Sequence, residues 1–216
     1  MSNPPTRTPG LRPASVLIAA LLLVATAGAQ EDLYGPQAPR DTAWVRVLNA
    51  ASDDPLVPQL DGEPWEELGY GEGTAYRPIQ PGSHHMELGG AQVTLEAGPE
   101  SFTTVALLPE GPLVLPDRPL EDISRGLLTL YNLTGDERLD LLAGDGTLLF
   151  EGVGPGTAES LAIAEAEVEL LVRDEAGEPV GSLDSRLYAR GEAHSLIVLP
   201  AGAEPRVVYL SAAAEH

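Results

Sequence analysis

Cysteine and lysine are both absent from the 216 residues. Without cysteine the chain has no disulfide, no thiolate metal site and no thiol to carry a lipid. Without lysine, all permanent positive charge falls to arginine. With Arg7 and Arg12 near the start set aside, ten arginines face 33 acids over residues 30–216, a net charge of −23. Nucleic acid and anionic membrane surfaces repel such a chain. Two origins suit the acidity equally, selection for a partner and a salt-adapted proteome.

Several catalytic signatures are missing as well. No G-x-S-x-G elbow occurs, and Ser83, between Gly82 and His84, is its nearest imitation. On a strand, however, sequence neighbours point to opposite faces, so Ser83 and His84 do not face one another. "EGVGPGT" (151–157) lacks the Lys-Ser/Thr of a phosphate loop, and there is no D-x-[DN]-x-[DN]-G calcium loop. His85 and Glu87 share a strand face and offer two metal ligands, but a third must come from elsewhere. The His84-His85 pair therefore reads as solvated, and His194 reads as an ordinary strand residue. Asp53-Asp54, Glu66-Glu67 and Asp136-Glu137 lie in polar stretches, where no burial raises a carboxylate pKa for acid catalysis. The expectation is a protein that is not an enzyme, with no catalytic residue, no metal and no cofactor.

The chain has one long apolar run, "ASVLIAALLLVA" (14–25), followed by Ala27-Gly28-Ala29. Small residues at the −3 and −1 positions predict a secretory signal peptide over residues 1–29, cut before Gln30. The run is too short to span a bilayer comfortably, and no later run is long and uncharged enough to do so. Residues 30–41 then contain "LYGPQAPR" (33–40), whose Gly35, Pro36 and Pro39 exclude helix and central strand. The prolines favour an extended, low-entropy segment, and Leu33 and Tyr34 give it an apolar and an aromatic anchor. Two uses suit those anchors equally, docking on a partner and folding back on the first domain.

From residue 42 onward, short runs alternate apolar and polar residues between turn signals such as Asp61-Gly62, Pro81-Gly82, Gly89-Gly90 and Asp145-Gly146. "AWVRVLNA" (43–50) sets Trp44, Arg46 and Leu48 on one face and Val45, Val47 and Asn49 on the other. Such a pattern predicts an all-β sandwich. "GTAESLAIAEAEVELL" (156–171) has helix-favouring composition, but its alternation from Glu165 to Val172 predicts strand. The two halves also repeat: Asn49 matches Asn132 at an offset of 83, while Pro109 matches Pro200 at 91. The drift places an insertion in the second copy, near residues 173–185. Trp65 and Phe150 pair as core aromatics. Two tandem, immunoglobulin-like β-sandwich modules follow, over residues 42–116 and 126–216, joined by a linker at 117–125 inside the Pro-rich stretch 109–124. One larger sandwich with a common core is the alternative.

The block "LYGPQAPRDTAWVRVLNA" (33–50) resembles the N-terminal signature of the AlgF family, exported accessory proteins of alginate O-acetylation. The resemblance continues through "IQPGSHHMELGG" (79–90), "LLTLYNLTGDERLDL" (127–141), "EGVGPGTAES" (151–160) and "LYARGEAHSLIVLPAG" (187–202). It implies a periplasmic protein working with a membrane-bound acyl-transferase and exported serine acetyltransferases, which place acetyl groups on mannuronate residues. In that picture the catalytic serine belongs to the partners, and this chain is a non-catalytic adaptor with Leu33, Tyr34, Gly35, Pro36 and Pro39 as its docking residues. A polyanion is a poor ligand for so acidic a chain, so polysaccharide binding is expected to be weak or absent. The alternatives are a carbohydrate-binding module stacking sugars on Trp44, Trp65, Tyr70 or Tyr76, and an acyl carrier using Ser83 or another hydroxyl.

Overall fold

The computed structural model describes residues 41–51, 54–135, 138–200 and 206–211. Among them there is no helix; sixteen strands form four four-stranded sheets. The first copy consists of β1 (Ala43–Asn49), β2 (Gln59–Leu60), β3 (Glu63–Pro64), β4 (Arg77–Ile79), β5 (Gly82–Leu88), β6 (Ala91–Ala97), β7 (Phe102–Leu108) and β8 (Gly111–Asp117). The second consists of β9 (Gly126–Asn132), β10 (Leu139–Ala143), β11 (Leu148–Val153), β12 (Thr157–Ile163), β13 (Ala166–Asp174), β14 (Pro179–Tyr188), β15 (Ala193–Leu199) and β16 (Arg206–Ser211).

Strand order shows the duplication directly. The first copy has sheets β4-β1-β7-β8 and β3-β2-β5-β6, and the second has β12-β9-β15-β16 and β11-β10-β13-β14. In each copy the first strand pairs in parallel with the seventh, Val47 opposite Val105 and Leu130 opposite Leu196. Asn49 and Asn132 perform the same task in both. Each amide reaches a carbonyl across the sandwich, Leu68 at 3.2 Å and Val153 at 2.9 Å, and each Oδ1 accepts the backbone N–H two residues on. The extra residues of the second copy lie in the β13–β14 hairpin, whose strands are 9 and 10 residues against 7 each in β5–β6.

Two stretches differ from expectation. Residues 157–163 and 166–171 are strand, interrupted at Ala164-Glu165, and β12 and β13 belong to different sheets. The Pro-rich stretch 109–124 is connector only in its second half, because Gly111–Asp117 pairs with β7 as strand β8. Pro112 and Pro116 are tolerated there since β8 is an edge strand, where a missing N–H costs no ladder bond.

Each sandwich has its own core. Val45, Val47, Met86, Leu88, Leu95 and Val105 fill the first; Leu130, Leu139, Leu141, Leu170, Val172 and Leu196 fill the second. A third buried cluster joins Leu48, Ala50, Ala106, Leu108 and Leu115 of the first copy to Tyr131, Leu133, Ile197 and Leu199 of the second. The sheets holding β1 and β9 thus pack on each other through their outer faces. Strand β1 is therefore buried on both sides, and the alternation that suggests one solvated face does not describe it.

Candidate functional site

Among the apolar residues of that joint sits one charged strand residue. Arg46 is 2% exposed, on β1 between Val45 and Val47. A guanidinium taken out of water needs partners in the plane of its fork, and three hydroxyls provide them. Nε donates to Thr104 Oγ1 at 2.8 Å, and Nη2 donates to Tyr131 Oη at 2.8 Å and Ser195 Oγ at 2.9 Å. Tyr131 and Ser195 come from the second copy, so the arginine ties the copies together. Thr104 and Ser195 occupy the same position on β7 and β15, opposite Arg46 and Thr129 respectively. One duplicated hydroxyl position thus clamps the arginine from both sides.

Asp117, at the end of β8, supplies the opposite charge through the same hydroxyls. Its Oδ2 accepts from Thr104 at 2.5 Å and Tyr76 at 2.6 Å, and its Oδ1 accepts from Tyr131 at 2.6 Å. The Arg46 guanidinium also lies over the Tyr76 ring, 4.6 Å from its centroid, and near the Tyr131 ring at 5.3 Å. Burial alone would lower the arginine pKa, but the oxygens of Tyr131, Tyr76 and Asp117 outweigh it and hold it above the ordinary value. Burial pushes the Tyr131 phenol up to about 12 and raises Tyr76 further. Both phenols stay protonated and donate to Asp117, which suits a fixed joint and not a nucleophile.

Beside this network the joint opens into a cleft of about 460 Å³, lined among others by Phe102, Asp117, Leu120, Leu127, Glu192 and Ser195. Among the described residues, its serine, Ser195, is engaged by the network. Ser195 Oγ receives Arg46, and the adjacent His194 lies on the opposite strand face. There His194 Nδ1 meets Tyr209 Oη at 2.9 Å. Hydrolytic chemistry needs a base on the nucleophile and a group orienting the base. Ser83, the other candidate hydroxyl, is exposed and donates to Glu96 at 2.8 Å.

Leu33, Tyr34, Gly35, Pro36 and Pro39 lie outside the described residues. None of the four candidate sugar platforms is exposed. Trp44 stacks on Phe102 at 5.9 Å, and Trp65 packs on the first core beneath the Arg77 guanidinium, 4.7 Å from its ring centroid. Tyr70 is half-buried in the joint and donates to the Pro200 carbonyl of the second copy, while Tyr76 is buried against Asp117. Trp44, Trp65 and Tyr70 are half-buried, and each has at least one tertiary contact of its own.

The His84-His85 pair is also corrected in part. His85 is exposed, but the His84 side chain is only 13% exposed. Its Nδ1 lies 2.7 Å from Asp61 Oδ2 and its Nε2 lies 2.7 Å from the Gln80 carbonyl. Both partners only accept, so the geometry calls for two N–H donors, that is, an imidazolium. Asp61 is in place because Asp61-Gly62 turns the β2–β3 hairpin with φ of 53° and 88°, the geometry of a two-residue primed turn.

Sequence reasoning missed the Arg46 network. The available signal was a single arginine inside a strand run with apolar residues on both faces. Among the described residues no cluster of three or more His, Asp or Glu could hold a metal.

Known proteins resemble the chain along most of its length. The family model described as alginate O-acetyl transferase AlgF matches residues 15–195. The alginate biosynthesis protein AlgF of Pseudomonas aeruginosa is 30% identical over 192 residues, 87% of this chain and 88% of that protein. The protein of the same name from Pseudomonas putida is 26% identical over 180 residues, 82% of each. Among solved structures, the C-terminal domain of AlgF from P. aeruginosa covers 41% of this chain and 98% of that domain, at 29% identity and a TM-score of 0.37. Its N-terminal domain covers 38% and 100%, at 23% identity and a TM-score of 0.34.

Proposed function

The chain belongs to the AlgF family, and from that premise we propose that it serves O-acetylation of mannuronate residues in alginate as a non-catalytic periplasmic adaptor. It docks or positions the acetyltransferases of the alginate biosynthesis complex, a membrane-bound acyl-transferase and exported serine acetyltransferases. The observation that carries this reading is the joint. Two copies of one fold are held face to face by an apolar cluster and a buried charge network drawn from both. A rigid joint fixes the spacing of two outer surfaces, as a scaffold requires, and adds no reacting group. The family model's description names a transferase, yet the hydroxyls beside the cleft serve as hydrogen-bond partners of Arg46 and Asp117.

Residues 33–39 are the proposed docking segment on the sequence argument that an extended, proline-stiffened peptide loses little entropy on binding. Co-purification of the chain with the acetyltransferases, with and without residues 30–40, tests both ideas. The expected result is retention by the full chain and weaker retention by the shortened one. If neither version retains a partner, the adaptor reading is refuted; equal retention refutes only the docking segment. Incubation with an acetyl donor checks the remaining point, because a purified chain that gains one acetyl group in mass is not a mere adaptor.

A further inference from the structure

The duplication provides an internal control for surface residues, since both copies build their outer sheets in the same strand order. The second sheet carries bulges that the first lacks, but the Asp61 N–H to the His85 carbonyl and the Gly144 N–H to the Glu169 carbonyl align the two copies locally. In the first copy Gln59 pairs with Pro64 on one side and with Glu87 on the other. The same positions in the second copy are Leu142, paired with Leu148 and with Leu171. These three leucines sit side by side across β11, β10 and β13. Leu142 and Leu171 alternate with the core residues Leu141, Leu170 and Val172, so they face outward. Leu148 is 47% exposed. Farther along the face, the Ser83–Glu96 pair of the first copy is replaced by Glu167–Leu187, with Leu187 57% exposed.

The fold itself does not demand leucine here, because the first copy fills the equivalent positions with Gln, Pro and Glu. A row of half-exposed leucines on an otherwise solvated sheet costs solubility without adding to the core. Acids outnumber bases around it: Glu151, Glu167, Glu169 and Asp184 are exposed on β11, β13 and β14, against two arginines on the same face, Arg138 just before β10 and the half-buried Arg173 on β13. An apolar centre inside a charged rim is the anatomy of a protein interface, and the sign of the rim selects the partner. We propose that the outer sheet of the second copy, centred on Leu142, Leu148 and Leu171, docks a folded protein with an apolar patch rimmed by arginine and lysine. The proposal rests on the adaptor reading and assigns it a surface.

The test replaces Leu142→Gln and Leu171→Glu together, using the residues that the first copy carries in the same register. Affinity of the full chain for the exported acetyltransferase is measured alongside urea unfolding, with Gln59→Ala/Glu87→Ala as the matched control on the first copy. Expected are an unchanged fold, at least about tenfold weaker binding for the leucine variant, native binding for the control, and weakening of the native complex by added salt. Hydrogen exchange on the unmutated complex provides a second reading, with new protection expected in β10, β11 and β13. Unchanged binding by a folded variant, or protection confined to other strands, overturns the assignment and leaves the adaptor reading intact. If the native chain is a dimer that the substitutions dissolve without altering acetyltransferase binding, the face belongs to a second copy and the proposal is wrong. A native chain that binds no acetyltransferase refutes the adaptor reading, and this assignment with it.

Discussion

Replacing Arg46 with methionine removes the charge while keeping an apolar stem of similar length. Three charge-assisted hydrogen bonds disappear, to Thr104, Tyr131 and Ser195. Bonds of that kind contribute roughly 1.5–3 kcal/mol each, and the avoided desolvation of the guanidinium offsets part of the loss. Breaking a buried charge pair costs about 3–5 kcal/mol, and the lower end applies where the remaining charge keeps its own donors. Asp117 keeps three hydroxyls here. The expected destabilisation is therefore ~3 kcal/mol, which for a chain of this size lowers Tm by roughly 6–12 °C. Urea unfolding followed by tryptophan fluorescence measures it, since Trp44 lies on the first strand close to the joint. The network spans both copies, so the native chain is expected to unfold in one transition and Arg46→Met to approach two. The double variant Arg46→Met/Asp117→Asn is expected to be less destabilised than the sum of its parts by at least ~1 kcal/mol. A single variant within about 0.5 kcal/mol of the native chain, or strict additivity, refutes the claim that this network couples the copies.

Three further outcomes follow from local geometry. His84 has its pKa raised, chiefly by the hydrogen bond to Asp61, so its stabilising contribution is full below the unfolded value of about 6.5 and is lost as pH rises through the folded one. Burial lowers the pKa of His194, so its effect has the opposite sign: stability falls as pH drops through the unfolded value. Because the two oppose one another, NMR titration of each ring is the proper measurement; Asp61→Asn should bring His84 back toward the ordinary value, and an unmoved His84 refutes the pairing. Tyr188 is fully buried, and its hydroxyl has no hydrogen-bond partner among the described residues. Tyr188→Phe removes an unsatisfied group and is expected to stabilise by ~1 kcal/mol in urea unfolding, with destabilisation as the contrary result. At Gly126 an added Cβ would stand 2.7 Å from the Ala189 carbonyl oxygen, a backbone atom that cannot turn aside. Gly126→Ala should cost about 1–3 kcal/mol, and a neutral outcome in the same assay shows that the connector gives way.

The all-β class, the two copies and the turns were legible in the chain because each rests on local chemistry. Alternation sets the strands, Asp61-Gly62 and Gly89-Gly90 set primed hairpin turns, and two unequal offsets reveal a duplication with an insertion. Asn49 and Asn132 stand out as equivalent residues by their spacing, while their shared task across each sandwich comes only from the fold. The surroundings of Arg46 were not legible. Alternation assigns a side chain to one face of a strand but does not say what covers that face. What covers Arg46 is another sheet, whose Tyr131 and Ser195 lie 85 and 149 residues away in the chain. The same limit applies to Trp44, Trp65, Tyr70 and Tyr76, whose sequence positions suit exposed platforms and whose contacts in the fold come from residues elsewhere in the chain. The sequence by itself determined which residues alternate and which turns join them, because those choices are made within a few residues. Only the tertiary structure decided that the outer face of β1 lies at a joint while that of β13 meets solvent, since burial is a property of neighbours brought together by the fold.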